Sequence, residues 1–359
     1  MQRIPLNIQT LYADLQQQVG MASSDEATVV ATTVGGISYL RLQRWVGASR
    51  TIEHLGRADD PAVIARAEAA KAEMARRQER RRLVSTLRRL IPGPTATLGK
   101  VLDAVAHAGL FRRGAVLVGT AAYQCYPPLL GAILPSATVM TQDADLATAD
   151  LALDGEVAGD SMIAILQRAD ASFTGLPGLD PRAPPARFRN AESFVVDLLT
   201  PQRRRSDRNP MPLKALAAGA VPLQHLEQFP IQLERSIALD PCFDAFSSRE
   251  PVSTSLENAL DWLIEEPVPA VALHGAGVAV SLPRPARFAV HKLILAQKRG
   301  AHEAAKSRKD LAQAAALVTA LREAAPFELQ DALDEARAIG RDGWARPIDR
   351  SLSQIAALA

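Results

Sequence analysis

The sequence predicts an α+β protein: a small mixed sheet in mid-chain, preceded by an N-terminal hairpin-plus-helix extension and followed by a mainly helical C-terminal region. Three observations carry this. Thr28 to Leu55 is rich in β-branched residues and is punctuated by the turn signals Gly35-Gly36 and Val46-Gly47-Ala48. Short apolar runs at 115–118, 138–146 and 193–199 recur between longer stretches of helical periodicity. Beyond them the chain is mostly helical in pattern. At 359 residues two or three domains are expected: 1–95, the extension; 96–210, the sheet-bearing core; and 211–359, mainly helical with a hairpin at 268–282.

Leu6 to Val19 has the spacing of a short helix. Thr28 to Leu55 reads as a small antiparallel hairpin or meander. Asp59-Asp60-Pro61 opens a helix, with proline in its first turn. That helix runs through an Ala/Arg/Glu stretch toward Leu90 and stops at Ile91-Pro92-Gly93-Pro94. Leu98 to Gly109 is an amphipathic helix. Ala115 to Val118 is a buried strand, ended by Gly119-Thr120, with a helix opening at Ala121. Thr138 to Leu146 alternates: Val139, Thr141, Asp143 and Asp145 point to one side, Met140, Gln142, Ala144 and Leu146 to the other. Ser193 to Leu199 is a third apolar run with Asp197 inside it, and Arg203, Arg204 and Arg205 follow in a polar loop. Val268 to Leu282 holds two alternating runs around His274-Gly275-Ala276-Gly277, a hairpin. Helices are expected at Ala286 to about Lys298 and around Lys306 to Ala324, and 326–359 closes the chain as a helical cap.

Composition excludes several classes. Apolar residues are 48% and charged residues 22%, so the chain is neither disordered nor a disulfide scaffold. A net charge of +2 is too small to argue for a nucleic-acid coat or a membrane surface. The stretch 114–142 lacks charge and has the length of a membrane span. Its prolines, Gln124 and the immediately following Asp143 favour a buried strand, a turn and a short helix instead. Cys125 and Cys242 form neither a metal-ligand pattern nor a framework and suit a reducing cytoplasm. The start, MQRIPLNIQT, lacks the apolar run of a signal peptide. Seven lysines stand against 34 arginines, and four of the seven fall between Lys292 and Lys309.

The chemistry rests on acids. In a strand Asp143 and Asp145 share a face, about 7 Å apart at Cα. Two such carboxylates repel unless a cation neutralises them. Hard oxygen donors favour Mg²⁺, which takes one or two protein carboxylates together with substrate phosphates. Upstream, Gly119 lets phosphate oxygens approach the backbone, and Thr120 adds a hydroxyl at a helix start. Downstream, Asp197 in a strongly apolar strand incurs a desolvation cost unless it is paired. Either a shared metal or a nearby arginine would meet that cost.

The order strand, Gly119-Thr120, helix, then a strand bearing Asp143 and Asp145, then a strand bearing Asp197, resembles the DNA polymerase β-like nucleotidyltransferase superfamily. Thr120 replaces the usual serine or glycine, and the gap from Gly119 to Asp143 is longer than in minimal members. That spacing and the Thr141-x-Asp143-x-Asp145 form are similar to the toxin-type and abortive-infection-type branches. The resemblance implies a Mg²⁺- or Mn²⁺-dependent enzyme that moves a nucleoside monophosphate from a nucleoside triphosphate to an acceptor hydroxyl, releasing pyrophosphate. It implies that Asp143 and Asp145 hold two metal ions on the triphosphate. Asp197 would complete the catalytic metal site and draw the acceptor's proton. It also implies that Lys292, Arg299, Lys306 and Asp310 flank the nucleotide, with Lys292 and Lys306 toward phosphates and Asp310 toward the base. On one continuous helix these four would form a narrow stripe, with Gly300 as a possible break; a solvated, salt-bridged helix pair is the plainer reading. The acceptor is a transfer RNA or other RNA, a protein hydroxyl or a small molecule. No membrane partner is expected.

Two alternatives stand. Arg76 to Arg89 is the most basic window, so a nucleic-acid-binding protein with a degenerate core is one, aided by Arg203 to Arg205. The plain reading of that window is a solvated face whose arginines pair with Glu73 and Glu79. A phosphohydrolase is the other, and fits less well because the six histidines are scattered.

Overall fold

The computed structural model describes residues 1–20, 27–46, 49–135, 143–147, 161–177, 185–199 and 257–358. Helix α1 spans Leu6–Gly20 and buries Ile8, Tyr12 and Leu15. Strands β1 (Ala27–Val34), β2 (Ile37–Val46) and β3 (Ser49–Arg57) form an antiparallel sheet in that order. The extension is thus a three-stranded meander, not a two-stranded hairpin. Its apolar side (Ala27, Leu42, Leu55) packs on Val63 and Ala67 of α2, Pro61–Leu87. Asp60 caps that helix by accepting from the Ala62 N–H at 2.8 Å, and Pro61 tolerates the first turn because no backbone donor is needed there. The helix ends at Leu87, three residues before the expected stop.

Helix α3, Ala96–His107, starts on the Thr95 hydroxyl and leads into the main core. Then come β4 (Val116–Val118), the short α4 (Gly119–Tyr123) and α5 (Pro127–Leu130), and β5 (Asp143–Ala147). Helix α6 is Met162–Ala169, followed by β6 (Thr174–Leu176), β7 (Arg187–Arg189) and β8 (Val195–Leu199). These five strands make one mixed sheet in the order β4-β5-β8-β7-β6, with β5 and β8 parallel and the other pairs antiparallel. Ala144, Leu146, Val196, Leu198 and Phe188 bury one face of it in the core. The expected residues 138–142 of the acid-bearing strand, the loop Arg203–Arg205 and the 210/211 domain boundary lie outside the described residues.

Helix α7, Glu257–Ile264, precedes a hairpin of β9 (Val268–Ala272) and β10 (Val278–Leu282). Helices α8 (Pro285–Lys298), α9 (Ala304–Ala324), α10 (Pro326–Ile339) and α11 (Arg346–Leu358) follow. The continuous helix needed for a 292–310 stripe does not form. Arg299 and Gly300 adopt extended backbone, so α9 folds back along α8, and Ser307 donates to the Ala296 carbonyl at 2.6 Å. Tyr12 ties α1 to the hairpin: its hydroxyl accepts from Val271 N–H at 2.8 Å and donates to Val271 C=O at 3.2 Å. Among the described residues no helix is long and apolar enough to cross a membrane.

Candidate active site

Strand register decides which side chains meet. Asp145 on β5 lies across from Val118 on β4 and from Asp197 on β8, and Asp197 lies across from Arg187 on β7. The period of two puts Asp143 on the face of Asp145. A row Val118, Asp145, Asp197, Arg187 therefore crosses the sheet, with Val118 buried at its end, Asp143 exposed at the strand's start and Asp145 and Asp197 half-buried.

The acids are close enough to alter one another. Burial pushes the Asp145 carboxyl up to about 7, with the Asp143 and Asp197 charges adding, while Lys292 and Arg187 pull it down. Burial also raises Asp197, against the pull of Arg187. Arg187 grips Asp197 at both oxygens, Nε to Oδ1 at 2.8 Å and Nη2 to Oδ2 at 3.0 Å. The arginine, the plainer of the two partners open to Asp197, is present here.

Among the described residues no three His, Cys, Asp or Glu side chains gather tightly enough to hold a metal ion unaided. Asp197, the third acid expected at the metal, is paired with Arg187. Asp143 and Asp145 still fit Mg²⁺, whose shell is completed by water and phosphate oxygens. Burial first, and the Asp143 and Asp197 charges after it, raise the proton affinity of Asp145, and a bound cation would offset both.

Gly119 stands where only glycine serves. Its φ is +66°, and a Cβ there would collide with the Asp145 carboxylate. Gly119→Ala is expected to cost about 1–3 kcal/mol of stability. Displacing Asp145, it should also cut transfer by about 100-fold. Urea denaturation and a transfer assay on the same sample check both.

The C-terminal helices contribute a charged cluster. Lys292 donates to Asp310 Oδ1 at 2.7 Å; the two residues are 5% and 3% exposed. Arg299 binds the other oxygen of Asp310 and also Glu303. Burial alone would raise Asp310; Lys292 and Arg299 outweigh it and hold the carboxyl below its ordinary value. Lys306 joins this group only at its edge, its side chain 65% exposed and paired with Glu303. Lys309 is half-buried, and burial lowers its ammonium while Asp143 acts in the other direction. Gln313, fully buried, donates to Thr120 Oγ1 at 3.5 Å and joins α9 to the end of β4. Arg187 and Gln313 are the residues that sequence reasoning missed, while Lys309 stood in the sequence only as the lysine beside Asp310. The concentration of lysines at 292–309 in an arginine-rich chain was a signal for Lys309.

The geometry brings together Gly119 and Thr120, Asp143, Asp145 and Asp197, and Lys292, Lys309, Asp310 and Gln313. No curated protein and no solved structure matches the chain. A family model described as nucleotidyltransferase matches residues 96–239 and 248–338, leaving the meander and the basic helix outside it. That match takes in both acid-bearing strands and the lysine-bearing helices, and it covers more than half of the sequence: the chain belongs to this nucleotidyltransferase family.

Proposed function

We propose that the protein is a DNA polymerase β-like, divalent-metal-dependent nucleotidyltransferase. It moves a nucleoside monophosphate from a nucleoside triphosphate to an acceptor hydroxyl on RNA, protein or a small molecule, and releases pyrophosphate. The observation that carries this is the Asp143/Asp145 pair on one strand, with the Gly119 backbone against Asp145 and the Lys309 ammonium near Asp143.

Asp143 and Asp145 are the residues that would hold the divalent ion. When bound, Mg²⁺ or Mn²⁺ supplies charge neutralisation at the attacking and leaving oxygens. Gly119 lets a phosphate approach the backbone, and the Thr120 hydroxyl, steadied by Gln313, donates to it. Lys309 offers its ammonium to the triphosphate oxygens. Lys292, Arg299 and Asp310 form the buried clamp that sets the angle of α9 and so the position of Lys309. Asp197, oriented by Arg187, takes the proton from the acceptor hydroxyl. In such transfers most catalysis is positioning and charge compensation.

The test incubates the protein with each of the four ribonucleoside triphosphates labelled at the α-phosphate, with Mg²⁺ or Mn²⁺, and with RNA, protein and small-molecule fractions of a lysate. Label should enter one fraction and vanish with chelator. Lys309→Ala should weaken triphosphate use by about tenfold or more, as loss of a charged hydrogen bond does. Absence of label from every fraction, or equal labelling by Asp143→Asn, refutes the reading; RNA binding without transfer would point to the degenerate-core alternative.

A further inference from the structure

A second concavity is built from other elements. It measures about 290 Å³ and lies among α2, α3 and the 274–277 turn of the β9–β10 hairpin. Arg77, Arg80 and Arg81 line it from α2, Asp103 and His107 from α3, and Arg112 from the loop after α3. None of its lining residues belongs to the acid-bearing strands or to α8 and α9.

We propose that this cavity binds a phosphate monoester, carried either by a free mononucleotide or sugar phosphate or by the 5′ end of a nucleic-acid strand. The charge is the first reason. Asp103 is the one carboxylate among the lining residues, against four guanidiniums and two histidines, His107 and His274; burial lowers His274, which leaves His107 as the cationic imidazole. Hydrogen bonding to Asp103, with the charge of that carboxylate adding, raises His107 to about 9, so the imidazole is cationic at neutral pH. A phosphate monoester brings nearly two negative charges and three strong acceptor oxygens, and its geometry suits the guanidinium fork.

Preorganisation is the second reason. Arg80 is 4% exposed, yet it borders the cavity and is held by Glu73 at 3.1 Å. A buried guanidinium at a concave wall acts in a low dielectric, where charges focus on the ligand. Size is the third. The volume takes a phosphate with its sugar and sits at the small end of ligand pockets. A shallower groove of about 1060 Å³ between α2 and the meander shares Arg77 and Arg81 with the cavity. A strand anchored by its 5′-phosphate has that path to follow.

The experiment uses the full chain in chelator at low salt, so that the carboxylate site cannot hold a metal-bound nucleotide. Binding of AMP, adenosine, ribose 5-phosphate, inorganic phosphate, and 5′-phosphorylated and 5′-hydroxyl oligoribonucleotides is measured by calorimetry. AMP is expected to bind at least about tenfold tighter than adenosine, and Arg81→Gln and Arg112→Gln each to weaken it about tenfold. Both arginines are exposed, so the variants should fold, which their melting curves check. Asp145→Asn should leave binding unchanged. A 5′-phosphorylated oligonucleotide that binds tighter than AMP assigns the ligand to a strand end; equal or weaker binding assigns it to the free compound. The proposal is overturned if no phosphate compound binds at millimolar concentration, if the 5′-hydroxyl strand binds as well as the phosphorylated one, or if Asp145→Asn abolishes binding that both arginine variants retain.

Discussion

Asp145→Asn is expected to lower nucleotidyl transfer by about 100-fold or more, and at the same time to make the metal-free protein more stable above neutral pH. The two effects have one origin. The amide keeps the shape of the carboxyl but cannot share a cation with Asp143. Burial and the neighbouring acids raise the folded-state Asp145 to about 7, above its ordinary value of 3.8. Between those values the folded chain binds the proton more tightly than the unfolded chain, so stability falls as pH rises through the window. Below the ordinary value both states are protonated and the group contributes nothing; above about 7 the full penalty is present. Asn removes that penalty. Melting temperatures in chelator should therefore coincide for the two proteins at low pH and diverge in favour of the variant as pH climbs. Adding Mg²⁺ should raise the wild type alone, as a ligand that binds only the folded state does. A wild type more stable than the variant in chelator at alkaline pH, or a variant with unchanged transfer, would show that Asp145 has neither role.

Asp310→Ala should be the most destabilising single change in the C-terminal helices, at about 3–5 kcal/mol. Lys292 would lose its partner while its side chain stays 7% exposed, and the half-buried Arg299 would lose one of its two acids. A buried charge stripped of its counter-ion is the costly case, whereas replacing both members with apolar groups is not. The double variant Lys292→Met/Asp310→Leu is accordingly expected to recover most of the loss. Urea midpoints of the single and double variants form the cycle. A cost for Asp310→Ala below about 1 kcal/mol would class the pair with exposed ion pairs. If α9 carries Lys309 as proposed, Asp310→Ala should also raise KM for the triphosphate in the fraction that remains folded.

Much of the architecture was legible because strong local signals agreed. Asp60-Pro61 announced α2 and is its cap. The β-branched stretch announced strands, although two turn signals meant three strands rather than two. The alternation at Asp143 and Asp145 settled a shared face from the strand period alone. Other features depend on pairing partners that no local pattern names. Strands β6 and β7 are three residues each, too short for periodicity, so Arg187 could not be placed beside Asp197. The break at Arg299-Gly300 folds α9 back along α8, so the single stripe read along one continuous helix does not form. Gln313 looked like one more residue of a polar helix until its contact with Thr120 crossed 193 positions of sequence.

The hydroxyl of Tyr12 meets Val271 across 259 positions. During synthesis α1 leaves the ribosome long before the hairpin that receives it has been translated. Ile8, Tyr12 and Leu15 can meet Val84, Leu87 and Ile91 early, but their cluster is closed by Val271 and Leu273 only when most of the polypeptide has emerged. Newborn chains stalled short of that hairpin should therefore expose the amino terminus to chaperones and proteases, and completion of β9 should be the event that hides it.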